Sequence, residues 1–309
     1  MRRLLLSIGV SLIPAVLLLV ALSSTSCVAN FEELRYVYRS DFEQTYALQA
    51  GGTASVKNVD GYVRVVPWDK DEISLKGVLR VKAGSKEEAE RLAKDIKVIV
   101  SHDEKSFSVE VKKTGTARWI HWGIGHHWAL DIDLNVPRQC NLDLSTVDGS
   151  IEVSGVEGTL DASSVDGSID VVDVRGDIDC STVDGSCELS NVEGKVNVGS
   201  TDGSLDVQGK LHGLGARTVD GSVHVSALEG STNPEGWKLS TVDGSVTLRL
   251  PKSLSFNLEA SSVDGHISIS GPAQFVSRSH HKVVATLGQG GPPLSISTTE
   301  GSVTVEFEE

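Results

Sequence analysis

Aromatic side chains are scarce in this sequence. They make up 5% of its 309 residues, and none occurs between Ala129 and Gly236. That stretch has no Phe, Tyr or Trp ring to serve as a platform for a sugar, and its core must be built from small and β-branched side chains. Positive charge is also in short supply, with 28 Lys plus Arg against 42 Asp plus Glu and a net charge of −14. Phosphate backbones are bound by basic surface, so nucleic acid is excluded as a partner, and so is docking on anionic lipid through a basic patch. The 4 cysteines match no zinc spacing. No phosphate-binding Gly-rich loop, no His-Glu-x-x-His and no nucleophile elbow occurs, so nothing here announces an enzyme.

What the chain has instead is glycine, 31 residues of it, much of it in one phrase. Val-Asp-Gly-Ser stands at 147–150, 165–168, 183–186 and 219–222, and Thr-Asp-Gly-Ser at 201–204. The aspartates 148, 166, 184, 202 and 220 are therefore 18 residues apart. A fixed period of this size marks a repeat architecture, in which each unit buries its apolar face only on its neighbours. Stacked at that period, the apolar residues form uniform columns. One is Ile151, Ile169, Cys187, Leu205, Val223, and a second is Val153, Val171, Leu189, Val207, Val225. A third is Leu160, Ile178, Val196, Leu214, and a fourth is Ala162, Cys180, Val198, Ala216.

Two architectures fit Asp-Gly turns between short strands. A meander of hairpins would make one flat antiparallel sheet. But successive half-units differ in kind, and likeness returns only after a full period. The apolar spacing also steps by two and then by three (Ile151, Val153, Val156), as at a corner. The pattern predicts an all-β fold, a single-stranded parallel β-solenoid resembling a β-helix or β-roll. It has about 18 residues per turn and spans 129–309. Right-handed winding is the default for parallel crossovers. Within each phrase the valine is expected to face the core, the glycine to supply a positive φ, and the serine to open the next strand. Looser copies follow at Val242-Asp243-Gly244-Ser245, Val263-Asp264-Gly265-His266 and Thr299-Glu300-Gly301-Ser302. Glu300 is expected two units beyond Asp264. The strand Val303 to Phe307 is expected to end the stack, its glutamates opposing end-to-end association.

Upstream, residues 1–27 read as an export signal: a basic start, an apolar run from Leu4 to Leu22, small residues and Cys27. Ending at a cysteine, it resembles a bacterial lipoprotein signal, which implies lipidation at Cys27. Cleavage after Ala29, or retention of the run as a membrane anchor, are the alternatives. All three export the chain to the cell envelope. Residues 28–42 read as a tether, and 43–128 as a β-rich region with a capping helix at 85–97. Ser85-Lys86-Glu87-Glu88 is a capping box, and Ala89, Leu92, Ala93 and Ile96 make one apolar stripe, suited to covering the open end of the stack. Val59-Asp60-Gly61-Tyr62 is an early, isolated copy of the phrase.

The candidate sites are few. Asp148, Asp166, Asp184, Asp202 and Asp220 should form a column at the strand spacing of ~4.8 Å. Oxygen ligands in a row suit calcium; the plainer role is for each carboxylate to accept a hydrogen bond from its own turn. Carboxylates about 5 Å apart also match a retaining glycosidase, although any parallel stack produces that distance. The segment holding Trp119, His121, Trp122, His126, His127 and Trp128 is the candidate for partner contact, with zinc or copper ligation open to its histidines. Alternatively, its tryptophans pack over the end of the stack. Cys140, Cys180 and Cys187 read as small core residues.

From Leu130 onward the run Asp-Ile-Asp-Leu-Asn-Val-Pro leads into [Ser/Thr]-x-Val-Asp-Gly-Ser-Ile repeats, behind the helix that opens Ser-Lys-Glu-Glu-Ala. This resembles the bacterial "putative adhesin" domain of unknown function, over most of the chain from about Thr53. The resemblance implies the fold and an envelope location and brings no catalytic residues. The expected role is a non-enzymatic adhesin or interaction scaffold, anchored at the membrane and facing an envelope protein or a glycan. No cofactor is expected other than calcium. Two alternatives stand: an envelope-stress or signalling accessory protein that binds a membrane partner through the Trp/His segment, and a carbohydrate-active β-helix enzyme.

Overall fold

The computed structural model describes residues 2–5, 36–114 and 127–307. Among them the chain is all-β apart from one helix, Lys86–Lys94, and its 24 strands join one continuous sheet. No described helix is long and apolar enough to cross a membrane.

Within the repeat the strands pair as the columns require. Ile151–Ser154 lies parallel to Ile169–Val172, with Ile151 opposite Ile169 and Val153 opposite Val171. The register continues through Cys187, Leu205, Val223 and Val246. A second parallel ladder aligns Leu160, Ile178, Val196, Leu214 and Trp237. All of these side chains are buried. A slip of one residue would turn every one of them to solvent, which is why the period fixes the register. Each level of the stack has one strand in each ladder. The buried corner residues Val156, Val174 and Val192 join the ladders on one side, and the Asp-Gly turns join them on the other. In Cys187–Gly199 and Leu205–Arg217 the pairing runs on through the corner, with register shifts at Leu189/Val192 and Gly194/Lys195.

The order of levels is not the order of the chain. Gly52–Lys57 lies between Ser106–Lys113 and Cys140–Ser145, and Val63–Trp68 between His127–Pro137 and Ile151–Ser154. The early phrase is thus not isolated: Asp60 bridges to Asp148. The far end is rearranged in the same way. Pro293–Glu300 lies between Trp237–Ser240 and Phe256–Asp264, and Val303–Phe307 between Val246–Leu250 and Ile267–Ile269. The expected sequence of copies is corrected here. Glu300 stacks on Asp243, with Asp264 beyond it, and Glu306 pairs with Arg249 instead of guarding an end.

The expectation of purely parallel pairing is also corrected, because the sheet is mixed. Tyr36–Ala47 is antiparallel to Glu72–Ala83, which is antiparallel to His127–Pro137. Ile96–His102 is antiparallel to Ser106–Lys113 and also pairs with Arg2–Leu5. Phe256–Asp264, Lys282–Leu287 and Ala273–Arg278 form an antiparallel set at the other end. Short turns join Ile96–His102 to Ser106–Lys113 and Ala273–Arg278 to Lys282–Leu287, and only antiparallel neighbours allow such turns. Residues 36–42, expected as part of a tether, are paired strand. That strand sets Tyr38, Phe42 and Tyr46 against the core, and Phe42 lies over Gly77, where a Cβ would meet its ring at 2.2 Å.

The helix begins as its capping box dictates, with the Glu88 N–H donating to Ser85 Oγ at 3.1 Å. Ala89, Leu92 and Ala93 are buried, and Ile96 already belongs to the next strand. The helix packs on Tyr36–Ala47 and Glu72–Ala83, the antiparallel pair at the N-terminal end of its ladder.

Candidate functional site

The Asp-Gly turns form a column longer than the five expected members. Bridges run Asp184, Asp202, Asp220, Asp243, Glu300, and Asp60 lies against Asp148. Asp148, Asp166, Asp184, Asp202 and Asp220 are all exposed. None of their carboxylates accepts a hydrogen bond from its own turn, which corrects the plainer role read for them. The backbone ties each turn to the level before it: the Asp166 N–H donates to the Val147 carbonyl at 2.8 Å, and the Asp184 N–H to that of Val165 at 2.8 Å.

The valine of the phrase is corrected as well. Val147, Val165 and Val183 are 42%, 41% and 43% exposed. The inward position belongs to the residue before it: Thr146, Ser164, Thr182, Ser200, Thr218 and Thr241 are all buried. A glycine carbonyl from the neighbouring level points into that corner and needs a donor, which valine lacks. Ser164 Oγ donates to the Gly149 carbonyl at 2.9 Å, Thr182 Oγ1 to Gly167 at 2.9 Å, and Thr218 Oγ1 to Gly203 at 2.9 Å. At the bottom of the row Asn58 Nδ2 donates to the Gly61 carbonyl at 3.0 Å, and Thr146 Oγ1 above it is left buried without a partner. Sequence reasoning missed this row, although its hydroxyls recur with the same period as the aspartates.

The glycines answer to the same close approach. Gly149, Gly167, Gly185 and Gly203 have no positive φ, contrary to expectation, whereas Gly61, Gly221, Gly244 and Gly301 have φ of 110°, 158°, 159° and 139°. A Cβ on Gly185 would stand 2.3 Å from the Gly167 carbonyl oxygen, and one on Gly203 1.9 Å from that of Gly185. Contact between levels requires glycine here, not turn conformation.

Two further rows of carboxylates, also missed, run along the outer faces. Asp143, Asp161 and Asp179 are neighbours in one ladder; Glu152, Asp170, Glu188 and Asp206 are neighbours in the other. Burial, and after it the charges of Asp179 and Asp143, pushes the Asp161 carboxyl above its ordinary value. Burial, then Glu188 and Glu152, does the same to Asp170. Both rows were visible in the sequence at the same period, outside the glycine phrase. What they offer chemically is negative potential along a surface. Among the described residues no three His, Cys, Asp or Glu side chains come together as a metal-binding group.

The remaining candidates divide between core and undescribed chain. Cys140, Cys180 and Cys187 are buried free thiols, and burial pushes Cys140 and Cys187 up to about 12. Cys27, Trp119, His121, Trp122 and His126 lie outside the described residues. His127 opens the strand His127–Pro137, and Trp128 beside it is partly buried against the core.

Residues 181–306 match the family described as Toastrack DUF4097. No curated protein matches the sequence. Among solved structures, the chain is similar to a "putative cell adhesion protein" from Clostridium sporogenes ATCC 15579, at 11% identity and a TM-score of 0.31, covering 87% of this chain and 100% of that one. A "putative adhesin" from Bacteroides fragilis NCTC 9343 is similar at 11% identity and a TM-score of 0.35, covering 87% and 97%. A "putative lipid binding protein" from Parabacteroides distasonis ATCC 8503 is similar at 9% identity and a TM-score of 0.43, covering 87% and 97%. None of these likenesses is close enough to carry a role across. The resemblance read from the Asp-Gly repeats agrees with this match of residues 181–306 to the model of Toastrack DUF4097.

Proposed function

We propose that this chain is a non-enzymatic β-solenoid of the cell envelope, used as an adhesin or interaction scaffold and held at the membrane through Cys27. The two parallel ladders, stacked at one period around a shared apolar core, support the solenoid reading, with right-handed winding as the default for such crossovers. The observation that carries the functional reading is the row Glu152, Asp170, Glu188, Asp206. One side-chain type is repeated at strand spacing on a rigid face. That makes a surface read along its length by an extended partner, an envelope protein or a glycan.

The test is capture from envelope extract, comparing the wild type with a variant carrying Glu152→Gln, Asp170→Asn, Glu188→Gln and Asp206→Asn. Loss of the captured partner by the variant supports the reading. Identical capture by both, with the variant folded, rejects it. Metabolic labelling with a radioactive fatty acid tests the anchor: label on the wild type and none on Cys27→Ser is expected.

A further inference from the structure

Arginine on this acidic surface is otherwise committed. Arg39, Arg64, Arg80, Arg138, Arg175 and Arg249 each face a carboxylate. Arg91 faces Glu88, and Arg278 lies over the Phe275 ring. Arg217 alone among the described arginine side chains has no ion pair, side-chain hydrogen bond or ring contact.

Arg217 borders an open hollow of about 340 Å³ in the outer face of the second ladder. The register explains the hollow. Outward positions on successive strands read Asp179, Asn197, Gly215, Lys238 in one row and Ser181, Gly199, Arg217, Ser240 in the next. Gly199 leaves the floor bare, while at Gly215 the Asn197 side chain leans over it, with Oδ1 2.7 Å from where a Cβ would stand. Packing does not demand glycine at 199, because a Cβ there would meet nothing closer than the Arg217 carbonyl oxygen at 3.6 Å. Lys238, also without a partner, sits diagonally from Arg217, at a separation of about 7 Å between such positions.

We infer that this hollow binds the oxyanion group, carboxylate or phosphate, of a small polar ligand. The planar fork of Arg217 matches two oxygens of such a group, and Lys238 adds a second positive charge. Ser181, Ser240 and Asn197 supply hydroxyls and an amide to the rest of the ligand. Asp179 closes the far end, with Asp161 behind it, and repels a second anionic group. The site therefore takes a ligand with one charged end and rejects polyanions. A net charge of −14 disfavours diffuse anion binding, so saturable binding reports a local site.

Calorimetric titration with inorganic phosphate and, separately, with glucuronate tests this. Saturation by at least one probe is expected, and which one saturates assigns the oxyanion. Arg217→Ala should weaken binding about tenfold or more with an unchanged Tm. Gly199→Leu, which fills the hollow, should abolish binding, while Lys252→Ala, an exposed cation elsewhere, should have no effect. Saturation by neither probe overturns the inference. So does wild-type affinity in a folded Arg217→Ala or Gly199→Leu variant.

Discussion

Thr182 donates its hydroxyl to the carbonyl oxygen of Gly167, one level away, at 2.9 Å. The pair joins two halves of the repeat that look unrelated in sequence, a buried hydroxyl and a turn glycine. Thr182→Val keeps the shape and leaves that carbonyl without its donor, which should cost about 1–2 kcal/mol in denaturant unfolding. Thr146 occupies the same place in its own level but has no partner for Oγ1, and Asn58 donates to the Gly61 carbonyl in its stead. Thr146→Val should stay within about 0.5 kcal/mol of wild type, or stabilise. Equal losses at both positions would show that the hydroxyl row is incidental.

The glycines divide into those the stack requires and those it does not. Gly185→Ala places a Cβ 2.3 Å from a backbone oxygen that cannot move without its neighbours. It should cost about 2–3 kcal/mol or prevent folding. Gly199→Ala meets only an ordinary contact at 3.6 Å and should be tolerated. Thermal midpoints of the two variants decide the matter.

The outer carboxylate rows predict a particular pH dependence. Burial, then Glu188 and Glu152, raises the Asp170 carboxyl above its unfolded value, so the native state holds that proton more tightly than the unfolded chain does. Its contribution to stability is fully present below the ordinary carboxylate pKa of about 4 and is lost as pH rises through the raised folded value. Asp170→Asn should therefore raise Tm at neutral pH by about 1–3 °C, after allowance for solvent screening. The advantage should shrink to nothing in acid. A gain that persists unchanged below that range would exclude this origin.

Cysteine chemistry should report the core. Cys140 and Cys187, with thiols pushed up to about 12 by burial, should resist alkylation in the native protein at neutral pH and react at once in denaturant. Fast native labelling of either would contradict its placement.

Much of the fold was legible because it depends on alternation and self-similarity. The columns headed by Ile151, Val153, Leu160 and Ala162 could be read directly, and so could the Ser85 cap. Where hydrophobicity and alternation disagreed, hydrophobicity misled. Leu160, Ala162 and Ser164 continue one inward series by parity, yet Val165 is the apolar residue and by hydrophobicity belongs inside. It lies outside because the interior of that corner holds the Gly149 carbonyl, which Ser164 satisfies. Of the candidate sites, the aspartate column lies where the period puts it, and the two outer rows share that period and were overlooked.

The sequence by itself determined the period, the faces of each strand and the register of neighbouring levels, since any slip would expose the core. Only the tertiary structure decided which levels are neighbours. It set Asp60 against Asp148, and Glu300 between Asp243 and Asp264. The physical reason is that every copy of the phrase offers the same backbone edge and nearly the same column of side chains. Local complementarity therefore cannot rank one neighbour above another. The order is fixed by contacts made far away in the chain, such as the antiparallel pairing of Glu72–Ala83 with His127–Pro137 that closes one end.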